Sequence, residues 1–98
     1  MYARVTTTPI SPYRVEEAIH LAEETTMPAA SKQPGFKGYL MLVDKSNGTA
    51  ITITFWQDEN DRLCTSPGSA YYKDSISKLV PMLTAAPVVE DYEVVLQV

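Results

Sequence analysis

The sequence predicts an α+β domain in which four strands and two principal helices follow one another in the order βαββαβ. Three observations predict it. Four stretches are dense in β-branched and aromatic residues, two stretches repeat apolar residues at helical spacing, and turn-forming residues stand at the boundaries between them. At 98 residues the chain fits one domain spanning 1–98, of a size that buries roughly 60 to 65% of the surface its unfolded form exposes.

Tyr2 to Thr8 is rich in β-branched residues and stops at Pro9, which lacks the N–H a ladder needs. Ser11-Pro12 then reads as an N-cap followed by proline in the first helical position, where a fixed φ suits the turn. From there Val15, Ala18, Ile19 and Ala22 recur on one helical face. Glu16, Glu17, His20, Glu23 and Glu24 fill the other. Pro28 must interrupt or kink this helix, because it removes one internal hydrogen bond and crowds the preceding turn. Phe36 to Asp44 and Thr49 to Trp56 are strands joined through Ser46-Asn47-Gly48, which tolerates positive φ, and so form a hairpin. Asp58 to Leu63 is a short helical piece that opens on an acidic cap and stops at Ser66-Pro67-Gly68. A second long helix starts at Ser69, with Tyr72, Ile76, Leu79, Val80 and Leu83 as its apolar stripe. After Pro87, Val88 to Val98 returns to β-type residues as the fourth strand. This order matches the split-βαβ, ferredoxin-like arrangement, an antiparallel sheet with both helices on one face.

Composition narrows the function classes. With 45% hydrophobic and 20% charged residues the chain is an ordinary globular sequence. A net charge of −4 and the lack of any basic run argue against nucleic-acid binding, which needs clustered Lys and Arg. The single cysteine, Cys64, cannot close an internal disulfide and has no Cys or His neighbours for a metal site. A buried, inert thiol is the expectation for it. No apolar run has the length of a signal peptide core or a membrane span, so a cytoplasmic setting with no membrane association is expected. With no Gly-rich phosphate loop or ligand cluster, no flavin, haem or metal is expected either.

The strands also point to a partner. In a two-layer domain only the helix-facing side of each strand needs to be apolar. Yet Tyr39, Met41 and Val43 share one face of the second strand while Leu40 and Leu42 share the other, and Tyr92, Val94 and Leu96 oppose Val95 in the fourth. A second copy of the same sheet is the simplest cover for the spare face, which predicts a homodimer.

Taken in order, a Pro-started helix, Pro34-Gly35-Phe36-Lys37-Gly38, Ala50 to Trp56, and Glu90-Asp91-Tyr92-Glu93-Val94 resemble the antibiotic-biosynthesis-monooxygenase-like family across nearly the whole chain. The resemblance implies a dimeric α/β barrel, two ferredoxin-like subunits joined sheet to sheet, with a cleft in each between sheet and helices. It implies chemistry of the kind found in cofactor-free oxygenases of aromatic substrates, quinol oxygenases or haem-degrading oxygenases. The haem-degrading branch pairs an Asn in the first strand and a Trp in the third with a His in the following helix. Trp56 matches, but the first strand has no Asn and no His follows Trp56. The pattern departs from haem chemistry there.

Four residues are candidates for the pocket. Trp56, at a strand end where the implied cleft lies, either stacks on a planar aromatic or packs as core. Only one of Tyr71 and Tyr72 is expected to face the sheet, and the stripe selects Tyr72, as a hydrogen-bonding phenol or an amphipathic core residue. His20 is the only histidine and the only side chain with an ordinary pKa near neutrality, but it falls on the polar helix face. Arg4 lies mid-strand, placed to pair an anionic substrate or to make an ion pair across a dimer. No residue stands out as a general base. Two functions follow: a cofactor-independent monooxygenase of small quinol- or anthrone-like aromatics, or a non-catalytic small-ligand-binding or stress-related barrel.

Overall fold

The computed structural model describes residues 1–98. Strands β1 (Tyr2–Pro9), β2 (Phe36–Asp44), β3 (Thr49–Trp56) and β4 (Val88–Glu93) pair antiparallel in the spatial order β2-β3-β1-β4. The expected ferredoxin-like α+β arrangement is the observed one. β1 lies between β3 and β4, with Arg4 opposite both Thr54 and Asp91, and Thr6 opposite both Thr52 and Val89. Side chains alternate along a strand, so one row of β1, Arg4, Thr6 and Thr8, faces the helices. The other row, Ala3, Val5 and Thr7, faces away.

The β2–β3 turn explains its own sequence. The Asp44 carboxylate accepts from Ser46 N and Oγ, at 3.0 and 2.6 Å, and the Asn47 side-chain oxygen accepts from Thr49 N at 2.8 Å. Gly48 has φ +80°, and a Cβ there would sit 2.0 Å from Ile10 O. Only glycine allows that close approach, which lets Gly48 O accept from Ile10 N at 2.8 Å and ties the hairpin to the end of β1.

The N-terminal helical arm runs from a 3₁₀ turn (Pro12–Arg14) through α1 (Val15–Leu21) and a π turn (Ala22–Thr26) into α2 (Met27–Ser31). The arm absorbs Pro28 by widening rather than breaking. Pro28 can offer no N–H to the carbonyl four residues back, and its ring crowds that carbonyl. The backbone instead closes a longer loop, with Met27 N–H donating to Ala22 O. On the C-terminal side, α3 (Glu59–Leu63) is capped by Asp58, which accepts from Asp61 N. The following helix, α4 (Ala70–Leu79), is capped by Ser69, which accepts from Tyr72 N.

The fully buried apolar cluster is small. Ile10, Ala18, Ala50 and Met82, flanked by Leu21, Met41, Val43 and Leu79, fill the hairpin end of the space between sheet and helices. Two expectations need correction. The fourth strand ends at Glu93 rather than Val98, because past the Tyr2–Glu93 pair β1 has only Met1 left, whose carbonyl accepts from Val94 N at 2.9 Å, and nothing beyond it to pair with. Cys64 is exposed rather than buried, since it closes the short α3 at the surface. No helix is long and apolar enough to cross a membrane.

Candidate functional site

Between the buried cluster at one end of the sheet and Trp56 at the other, the two layers leave a cavity of about 80 Å³. A single water needs roughly 10 to 15 Å³ of such space, so the cavity has room for a small organic molecule. It exists because the helical arm presents Ala18 and Ala22, and β3 presents Ala50, where larger side chains would fill the gap.

Its walls follow from the period-2 alternation of the strands. β1 supplies Arg4, Thr6 and Thr8, β3 supplies Thr52 and Thr54, and β2 supplies Tyr39 and Met41. The helices close it with Thr26, Tyr71, Tyr72, Ser75, Ile76 and Leu79, and Thr65 adds one more hydroxyl. Ten of the 18 lining residues carry a hydroxyl, and none is Asp, Glu, His or Lys. Several of these hydroxyls are engaged within the protein, so the cavity offers a few neutral hydrogen-bonding groups on a mostly apolar surface and holds no conventional proton acceptor.

Arg4 is the one cation in the wall, and its donors are spent inside the chain. Its Nε donates to Asp91 Oδ1 at 2.9 Å, Nη1 donates to Thr65 O and, at 2.7 Å, to Thr65 Oγ1, and Nη2 donates to Arg62 O and Ser66 Oγ, each at 3.1 Å. All five guanidinium N–H groups are thereby used. Arg4 thus clamps the α3–α4 connection and β4 onto β1, and the Asp91 carboxylate it holds also receives Arg62. What reaches the cavity is its charge. Burial pushes the Tyr71 phenol above its ordinary range, with nearby Tyr39 adding to the rise and the Arg4 charge opposing it. Tyr72 is likewise raised by burial and pulled back by Arg4. Both phenols stay protonated at neutral pH, as hydrogen-bond donors rather than bases.

The four candidate residues separate. Arg4 and Tyr72 line the cavity, whereas Trp56 and His20 do not. Trp56 is fully buried: its ring meets Phe36 edge-on at 6.0 Å between centroids, and its Nε1 donates to Thr54 Oγ1 at 3.0 Å. Both its apolar body and its polar tip are satisfied by the protein, so the strand-end position that suggested a cleft is covered. The indole touches the site only through Thr54, whose hydroxyl it holds. His20 is exposed on the far side of α1, in a shallow depression with Glu17 and Glu24.

Sequence reasoning missed Tyr39, Thr26, Tyr71 and the threonine rows. The assumption that only one of two adjacent tyrosines can face the sheet fails because α4 lies along a cavity. Its lining residues, Tyr71, Tyr72, Ser75, Ile76 and Leu79, form a stripe wide enough for both phenols. The alternation of Thr6 with Thr8 and Thr52 with Thr54 was a readable signal of a polar inner face. As β-branched residues they read first as strand formers.

A ferredoxin-like sheet with helices on one side and a hydroxyl-lined cavity between the layers defines the class of the molecule. Solved structures place that class more closely. A Bordetella bronchiseptica protein named for the antibiotic biosynthesis monooxygenases aligns with TM-score 0.80 at 12% identity, covering 97% of each chain. A Caulobacter crescentus protein named in the same way aligns at TM-score 0.77 and 20% identity, over 96% of this chain and 89% of the other. A Nitrosomonas europaea protein of unknown function gives 0.78 at 14% identity, over 98% and 90%. No protein-family model matches the sequence, and no curated protein does. The chain shares the fold of solved proteins named as antibiotic biosynthesis monooxygenases.

Proposed function

We propose that this chain is a cofactor-independent monooxygenase subunit that takes a small electron-rich aromatic, of quinol or anthrone type, into the cavity and works as a homodimer. The half-open cavity between sheet and helices, bearing hydroxyls under the Arg4 charge, carries the reading. A planar ring fits between the threonine floor and the tyrosine-bearing helix, and a protonated phenol donates to the ring oxygen. Such a donor gains strength as negative charge develops on that oxygen, and the nearby guanidinium charge favours the same anion. The substrate itself then reduces oxygen. For an anthrone, the ring methylene becomes a carbonyl with one oxygen atom, and the other leaves as water with the two methylene hydrogens. No external reductant is needed. With no carboxylate or imidazole in the wall, deprotonation falls to solvent, which restricts substrates to those already acidic near neutrality.

The same missing base favours a second reading, a non-catalytic barrel that binds such a ligand without turning it over. Oxygen uptake by the purified protein over a panel of quinols and anthrones separates the two. Saturable uptake is expected, with kcat/KM falling roughly a hundredfold in Tyr72→Phe, as when one oxyanion donor is lost. Saturable binding without uptake supports the second reading and removes the first.

A further inference from the structure

One wall of the cavity pairs the hydroxyls of Thr26 and Tyr39. The Thr26 hydroxyl donates to Ala22 O at 3.2 Å and lies 3.2 Å from the Tyr39 hydroxyl. A threonine hydroxyl carries a single proton. The π turn places that proton on Ala22 O, the same carbonyl that receives Met27 N–H. Toward Tyr39, Thr26 can then only accept. On that assignment the phenol proton of Tyr39 goes to Thr26, and what its oxygen has left for the cavity is a lone pair.

We infer that Tyr39 is a specificity residue, an acceptor held in place by Thr26, that selects ligands bearing an O–H donor over the matching ether or carbonyl. The inference rests on the proposed pocket reading and deepens it by naming the ligand's chemistry at this wall: a phenolic or quinolic hydroxyl. It also gives the two sides of the cavity different tasks. Tyr72, on the helix side, offers a proton; Tyr39, on the edge strand, receives one. A reduced quinol satisfies both, whereas its quinone leaves Tyr39 without a donor, so an oxidised product is held less well than its precursor.

The test is calorimetric binding of 1-naphthol and 1-methoxynaphthalene, which do not turn over, to the wild-type protein, Tyr39→Phe and Thr26→Val. The measured quantity is how the affinity ratio changes between proteins, so the extra methyl of the ether cancels. Replacing Tyr39 by Phe should cut the naphthol preference by roughly three- to tenfold, the range for one neutral hydrogen bond, while leaving the ether's affinity in place. Thr26→Val should lower the preference too, because the freed phenol proton can then serve the ether oxygen. Circular dichroism confirms that each variant is folded. An unchanged ratio in Tyr39→Phe, or equal weakening of both ligands, overturns the inference and leaves the pocket reading standing. Failure of the wild type to bind either probe overturns both.

Discussion

The two faces of the sheet blur the usual division of polarity, for the covered one mixes Met41, Val43, Ala50 and Trp56 with a row of hydroxyls. The face covered by helices carries Arg4, Thr6, Thr8, Thr52 and Thr54, whereas the face left bare carries Val5, Ile51, Ile53, Phe55, Leu40 and Leu42. In a self-sufficient two-layer domain the covered face is apolar and the bare one polar. Here Leu40 and Leu42 remain 46% and 47% exposed, and Val88 and Tyr92 are just over half exposed on β4. The difference separates two tasks. The inner face gives up packing for a cavity that bears hydroxyls, and the outer face keeps the apolar surface that the proposed partner copy covers.

The largest effect expected from breaking this comparison is on assembly. Leu40→Asp would place a carboxylate in the middle of the proposed sheet-to-sheet contact. Breaking an interface with one unpaired buried charge typically costs about 3 to 5 kcal/mol, or more than a hundredfold in dimer affinity. Light scattering should then report a folded 10.9 kDa monomer, against the dimer expected of the wild type. Because position 40 points away from the cavity, ligand affinity per subunit should hold. A wild type that is monomeric at micromolar concentration ends the dimer reading outright.

Next in size is Trp56, on the inner face but outside the cavity. A fully buried indole replaced by alanine should cost about 3 to 5 kcal/mol in denaturant unfolding, a large share of a small domain's stability. Trp56→Phe should cost less. It should also alter ligand binding only modestly, through the released Thr54 hydroxyl. A large loss of binding in Trp56→Phe with full stability would place the indole in the site after all.

The contrast between the faces also marks what the sequence could disclose. The first three strands, the start of the fourth, the Gly48 turn, the Ser69 and Asp58 caps and the two-sided β2 were legible, because each depends on local chemistry or on alternation within one strand. The fate of Trp56 was not, since the groups that cover it, Phe36 and Thr54, are set by β2–β3 pairing and by the strand's own twist. Arg4 read as a possible anion site because its partners lie 58 to 87 residues away. Asp91, Thr65 and Ser66 converge on it only in three dimensions. Tyr39 and Thr26 were passed over for a similar reason: their pairing needs a π turn, which the sequence announces only as a proline in a helix.

The smallest expected effect sharpens the inner face itself. Burial pushes the Tyr71 and Tyr72 phenols above their ordinary range. For a phenol the deprotonated form is the charged one, so a raised folded-state value means the native protein holds these protons more tightly than the unfolded chain does. Their contribution to stability is therefore complete below the unfolded value near 10 and is lost as pH climbs through the folded one. Absorbance near 295 nm should show a delayed tyrosine step to which Tyr71 and Tyr72 contribute, together with Tyr2 and Tyr92, whose neighbours Glu93 and Glu90 raise them. Tyr71→Phe should remove part of the late step alone. An occupied cavity, with less water around the phenols, should move that late step higher still. A single tyrosine transition at the unperturbed value, unchanged by ligand, would mean that the inner face is open to solvent and that the contrast between the two faces is smaller than drawn.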